Sequence, residues 1–330
     1  MENKTFGIIG AGSWGTALVK IFSENLDTLN WYIRNKEIIN GIQENNRNPK
    51  YLRYVKLKNK KLNISNDLQK IIDLSDILII AIPSPFIDST FENYKNLLKD
   101  KFIVSASKGV IPKSQLVISQ HFHLNYGIKK SNLGIISGPC HAEEVALEKL
   151  SYLTVGVKRK VLGNYISKNL KSKYIKASVS TDIIGIEYSA TLKNIYSILV
   201  GICHGLGYGD NFLSVLISHC AKELKLFMRT IYQTKRDINH SAYIGDLLVT
   251  TYSTFSRNRT FGNMIGKGYS IKSAMSEMSM VVEGYYATKN AYEITKNKKN
   301  HFLFIESTYK ILYGEINPKK IVKEISDKLY

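Results

Sequence analysis

Cysteine is scarce. Only Cys140, Cys203 and Cys220 occur, at spacings that suit neither a disulfide framework nor a metal-ligand set, so reduced thiols in a cytoplasmic protein and no metal are expected. No apolar run reaches membrane-spanning length; Ile77 to Ile87 is broken by Pro83 and Pro85, which excludes membrane insertion. The N-terminus lacks a small-residue cleavage site, so no secretory signal is read there. No proline- or glycine-rich linker, internal repeat or low-complexity tail interrupts the 330 residues, which suffice for two closely packed domains. Negative charge is short: 27 Asp and Glu stand against 46 Lys and Arg, a net charge of +19. The lysines are scattered among many Asn, Ile and Tyr, as AT-rich codon usage would scatter them. The excess therefore favours anionic small molecules and gives no focused patch for nucleic acid.

What the chain does have is a glycine cluster at its start. Thr5 to Ile9 reads as a buried strand, Gly10-Ala11-Gly12-Ser13-Trp14-Gly15 follows at once, and Thr16 to Phe22 has helical spacing. Strand, G-x-G-x-x-G, helix is the dinucleotide-binding arrangement. Gly10 permits the turn, Gly12 admits the pyrophosphate, and Gly15 lets helix and strand pack closely. Leu29 to Ile33 reads as the second strand. An NAD-selective site offers Asp or Glu there, yet no acid lies between Thr28 and Lys36. Arg34 stands in its place and suits a 2′-phosphate, which favours NADP(H) with NAD(H) tolerated; a plain surface charge is the alternative.

Strand and helix patterns alternate to Thr181. Strands are expected at 76–82, 102–105, 133–136, 153–157 and 174–177, and helices at 65–74, 86–98 and 116–122, with residues 40–63 mostly loop. A doubly wound (Rossmann) parallel-sheet α/β domain over 1–181 follows. From Asp182 the strand pattern stops. Helices are expected at 183–206, 211–235, 270–295, 302–312 and 318–329, giving an all-helical domain over 182–330.

Charged groups recur at element ends. Lys108 follows a strand, where a mobile ammonium can reach a bound anion. Lys193 interrupts an apolar helix; burial would make it a candidate proton carrier, although in so lysine-rich a chain a solvent-facing lysine is the commoner case. Asp246 lies in an apolar setting and needs a cation. Ser256-Arg257-Asn258-Arg259 suits phosphate or carboxylate, and Glu283 adds a carboxylate beside Gly284.

Taken together, GAGSWGTA at 10–17, SKG at 107–109, GPCHAEE at 138–144, LKN at 192–194, GDL and SRN at 245–247 and 256–258, and VEG at 282–284 resemble the bacterial NAD(P)-dependent glycerol-3-phosphate dehydrogenase family, in the family's order and over nearly the whole chain. The resemblance implies reduction of dihydroxyacetone phosphate to sn-glycerol 3-phosphate for phospholipid synthesis, by a cytoplasmic homodimer. It implies that Gly10, Gly12, Ser13, Trp14, Gly15, Arg34, Lys108, Ala142, Arg257, Val281 and Glu283 meet the cofactor. Lys108, Gly138, Cys140, Lys193, Asp246, Ser256, Arg257 and Asn258 would meet the substrate. Lys193 would be the proton donor, with Asp246 and Lys108 as its catalytic companions. Three departures stand out: Cys140 where the family has Ser or Thr, Ser189-Ala190-Thr191 before LKN, and Ala242-Tyr243-Ile244 before GDL. A β-hydroxyacid dehydrogenase or ketopantoate reductase, a dinucleotide sensor and a nucleic-acid binder are the alternatives; the SRN cluster argues for a phosphorylated substrate.

Overall fold

Short apolar runs separated by amphipathic helices build one eight-stranded sheet in the first part of the chain. The computed structural model describes residues 4–278 and 280–329, and the chain divides into two units, Met1–Ile186 and Glu187–Tyr330. The strands of the first unit are β1 (Phe6–Ile9), β2 (Leu29–Tyr32), β3 (Leu62–Ser65), β4 (Ile77–Ile80), β5 (Phe102–Ser105), β6 (Val110–Ile111), β7 (Leu116–Val117), β8 (Leu133–Ser137), β9 (Ser151–Val157) and β10 (Ile175–Ser180). Its helices are α1 (Ser13–Asn25), α2 (Lys36–Asn45), α3 (Leu68–Asp73), α4 (Ile87–Phe91), α5 (Lys95–Leu98), α6 (Ile118–Tyr126), α7 (Ala142–Ala146) and α8 (Lys160–Leu170).

The sheet order is β10-β9-β8-β5-β4-β1-β2-β3, while β6 and β7 form a separate hairpin. Period-two burial explains the unbroken apolar run of β4. Ile77 and Ile79 enter one core with Ile8 and Val104, and Leu78 and Ile80 enter the other with Ile9 and Ile103. Six strands are mutually parallel, and the β8–β9 pairing is the antiparallel one in this parallel-dominated sheet. The connection contains only α7, five residues and roughly 7 Å long. A parallel return usually uses a longer crossover helix than this. The eleven-residue α8 does make such a crossover, and β10 is parallel to β9.

Other expectations shift locally. Residues 40–63 contain the end of α2 and the start of edge strand β3, whose half-buried Leu-Asn-Ile-Ser pattern is too short to read. Leu116 and Val117 belong to the hairpin, and 86–98 breaks into short helical pieces.

Among the described residues the second unit is helical: α9 (Ile183–Gly205, within which the division falls), α10 (Asp210–Ile231), α11 (Asp246–Tyr252), α12 (Arg257–Gly266), α13 (Ile271–Glu277), α14 (Glu283–Thr295), α15 (Leu303–Leu312) and α16 (Pro318–Ser326). The helix expected over 270–295 is two, with Ser279 outside the described residues. Glycine pairs bring α9 and α12 together. A Cβ on Gly201 would lie 2.2 Å from the Arg259 carbonyl oxygen, and one on Gly262 would lie 2.0 Å from that of Ile198. No helix among the described residues is long and apolar enough to cross a membrane.

Glu223 of α10 is buried and accepts the backbone N–H groups of Phe304 (2.8 Å) and Ile305 (3.0 Å), capping α15. Burial pushes its pKa from 4.5 up to about 7, against the pull of those donors. Its folded-state pKa is thus raised, so its contribution to stability is full below pH 4.5 and is lost as pH rises through 7, by roughly 3 kcal/mol at most. Glu223→Gln should flatten that decline in denaturant melts compared at pH 5 and pH 7.5. An unchanged difference between the two pH values would remove Glu223 as its source.

Candidate active site

The glycine loop is braced from several sides. Gly10 has φ +116°, and a Cβ there would lie 2.6 Å from the Ala81 carbonyl oxygen. Its own carbonyl accepts Trp31 Nε1–H at 2.9 Å. A Cβ on Gly15 would lie 2.3 Å from the Gly10 oxygen, whereas one on Gly12 would meet nothing within 4 Å. Gly12 therefore faces open space at the N-terminus of α1, which has no side-chain cap and no acid in its first turn. Buried Trp14 Nε1 has no hydrogen-bond partner. A buried donor left unpaired costs about 1–3 kcal/mol, which an acceptor on a bound ligand would relieve. Open space, free helix-terminal N–H groups and an orphan donor fit a dinucleotide phosphate. Asn48, missed in the sequence, completes the support: its Nδ2 donates to Ala11 O (3.0 Å) and Thr16 Oγ1 (2.9 Å). Only tertiary folding brings it there, so no spacing signalled it.

Along the same carboxyl edge stand the other first-unit candidates. Arg34 is exposed just past β2, where Asn35 caps α2 by accepting Glu37 N–H at 2.7 Å. Lys108 is half-buried after β5, and Gly138 follows β8 at φ +138°, its space for a Cβ closed by Tyr152 O at 2.5 Å. Cys140 is half-buried, and Ala142 is buried at the start of α7.

The second unit gathers LKN, GDL, SRN and VEG. Lys193 of α9, 4% exposed, forms an ion pair with fully buried Asp246, the first residue of α11. This answers the question left by the sequence: the lysine is buried and charge-compensated. One turn along, Ser197 Oγ donates to Thr250 O at 2.8 Å and lies 2.9 Å from Ser256 Oγ. Ser256 caps α12 by accepting Arg259 N–H at 3.3 Å. Asn258 Oδ1 accepts Gly284 N–H at 3.0 Å in the first turn of α14, and exposed Arg257 donates to Val281 O at 3.3 Å. Glu283, half-buried, opens α14. A π-helical turn, Ser241–Gly245, leads into Asp246. Sequence reading missed that turn, and missed Ser197 and Thr250, whose polar types look unremarkable inside helices.

Sequence models for the N-terminus and C-terminus of NAD-dependent glycerol-3-phosphate dehydrogenase match residues 5–162 and 182–323. The glycerol-3-phosphate dehydrogenase (NAD(P)+) of Bacillus pumilus is 32% identical over 312 residues, 94% of this chain and 90% of that protein. That of Staphylococcus aureus strain JH9 is 32% identical over 327 residues, 97% of each. The chain belongs to the NAD-dependent glycerol-3-phosphate dehydrogenase family. It is an oxidoreductase that uses a nicotinamide cofactor. For the fold alone, a glycerol-3-phosphate dehydrogenase crystal structure from Coxiella burnetii agrees with a TM-score of 0.90 at 24% identity, covering 98% of both chains.

Against that family the two departures in the second unit now have places. Ser189, Ala190 and Thr191 are buried in α9, where Thr191 Oγ1 donates back to Glu187 O at 2.8 Å. Ala242 and Tyr243 are buried in the π-helical turn before Asp246. None displaces Lys193 or Asp246 from their ion pair.

Proposed function

We propose that this dehydrogenase reduces dihydroxyacetone phosphate to sn-glycerol 3-phosphate, a precursor of glycerophospholipids, with Lys193 as proton donor and NADPH as preferred cofactor. The buried Lys193–Asp246 ion pair carries the reading. A bound nicotinamide cofactor would supply the hydride that reduces the carbonyl carbon. Negative charge then grows on the C2 oxygen, and the Lys193 ammonium stabilises it and gives up a proton. Asp246 compensates and aims that buried charge. Arg257 and the N-terminus of α12 grip the phosphate, with Ser256 and Asn258 fixing where that helix and α14 begin. Lys108, Gly138 and the backbone at Cys140 complete the substrate contacts. Gly10 to Gly15, Arg34, Ala142, Val281 and Glu283 hold the cofactor. A cytoplasmic homodimer is the setting this reading carries.

Absorbance at 340 nm tests it. NADPH should be consumed with dihydroxyacetone phosphate and far more slowly with dihydroxyacetone, which lacks the anion. Arg34→Ala should narrow the NADPH-to-NADH preference by removing one phosphate contact, worth about 1.5–3 kcal/mol or some tenfold or more. Equal rates with both ketones would defeat the substrate assignment, and an unaltered cofactor ratio would defeat Arg34.

A further inference from the structure

Lys108 stands at the base of the β6–β7 hairpin, whose strands are two residues each. So small a ladder does not hold itself in water. On one side the lysine's neighbour is fixed: Ser107 Oγ donates to Ile80 O (3.1 Å), the last residue of β4, or to Ile82 O (2.5 Å) just past it. On the other side the chain passes Gly109 at φ +103° into the hairpin, whose turn holds Gln115 at φ +56°. Buried Val110, Ile111 and Val117 anchor the strands, and a side-chain network reaches the turn. Ser114 Oγ lies 2.8 Å from His121 Nδ1 on α6, and His121 Nε2 lies 2.8 Å from Asp88 Oδ1 on α4. Asn125 Nδ2 also reaches Nδ1, at 3.0 Å, and can only donate. Nδ1 is therefore the acceptor, and Nε2 carries the proton given to Asp88. Tyr126 O–H donates to the same carboxylate at 3.2 Å. The imidazole is 1% exposed, and burial lowers its pKa against the opposing pull of Asp88, with the Lys95 charge adding to the lowering. The hydrogen-bonding pattern and the effect of burial thus both favour a neutral ring.

We propose that Ser114, His121 and Asp88 form a latch that fixes the hairpin carrying Lys108, making Ser114 and His121 positioning residues for that lysine. The idea rests on the reading that Lys108 touches substrate. Ser114 is half-buried at a turn, so Ser114→Ala should fold, and Ser114→Thr keeps the hydroxyl. In Ser114→Ala, amide hydrogen exchange at Gly109 and Val110 should quicken by about tenfold, the expected result of losing one tether. KM for dihydroxyacetone phosphate should rise roughly 3- to 10-fold with kcat nearly unchanged, and Ser114→Thr should restore both. In a Lys108→Ala background the Ser114→Ala effect on KM should vanish. Unchanged exchange in Ser114→Ala, while Lys108→Ala impairs turnover, overturns the latch alone. Exchange that quickens while the two KM effects multiply overturns the link to Lys108. A silent Lys108→Ala overturns the positioning claim together with the assignment of Lys108.

Discussion

Lys193→Ala should lower kcat by roughly 10²- to 10⁴-fold, the usual contribution of a positioned general acid. Stability has to be separated from chemistry in this variant, because Asp246 is fully buried. Removing the lysine takes away the cation paired with that carboxylate, which costs about 3–5 kcal/mol. A lowered Tm is therefore expected along with the lost turnover. The double variant Lys193→Met/Asp246→Leu separates the two effects. Replacing a buried ion pair by apolar side chains of similar size is often neutral or stabilising. The double variant should accordingly regain much of the Tm and stay inactive. Substantial turnover in a folded double variant would show that neither group handles the proton, and the mechanism would have to be rebuilt around another residue.

The second large effect separates two glycines of one motif. Gly12→Val should fold, since the position has extended backbone (φ −67°, ψ −179°) and open space for a Cβ. The new side chain would occupy the approach of the pyrophosphate, so cofactor affinity should fall by about 10- to 100-fold or more, the cost of steric overlap. Gly15→Ala should do the reverse. Its Cβ would press on the Gly10 carbonyl oxygen at 2.3 Å, where only backbone can yield. The loss should appear as a lower Tm, with weakened cofactor binding only as a consequence. Titrating NADPH into both variants, alongside thermal melts, reads the contrast. A Gly12→Val protein that binds NADPH like the parent would show that the loop is not where the phosphates lie.

The charge of +19 suits attraction of anionic small molecules. Buried cation and carboxylate pair inside the second unit, while Arg34 and Arg257 stay exposed. Membership of the glycerol-3-phosphate dehydrogenase family removes the β-hydroxyacid and ketopantoate alternatives.

Local chemistry alone made much of this protein legible. The glycines at 10, 12 and 15, the two-sided apolar run at 77–80, and the switch from strand to helix periods after Thr181 are nearest-neighbour patterns, and the sheet and the helical second unit follow from them. The motif order likewise pointed to the family. What sequence could not supply depended on partners far along the chain. Whether Lys193 faced water or a carboxylate was undecidable until α11 placed Asp246, 53 residues on, against it. Asn48 bracing the glycine loop, Asn258 capping α14 and Asp88 holding His121 are likewise long-range hydrogen bonds between residues ordinary for their positions. The reversal of β9, across a connection that holds only the five-residue α7, is likewise a matter of strand pairing. Periodicity reports which face of an element is buried; it carries no information about which polar group will be waiting there, and that is set only when the elements pack.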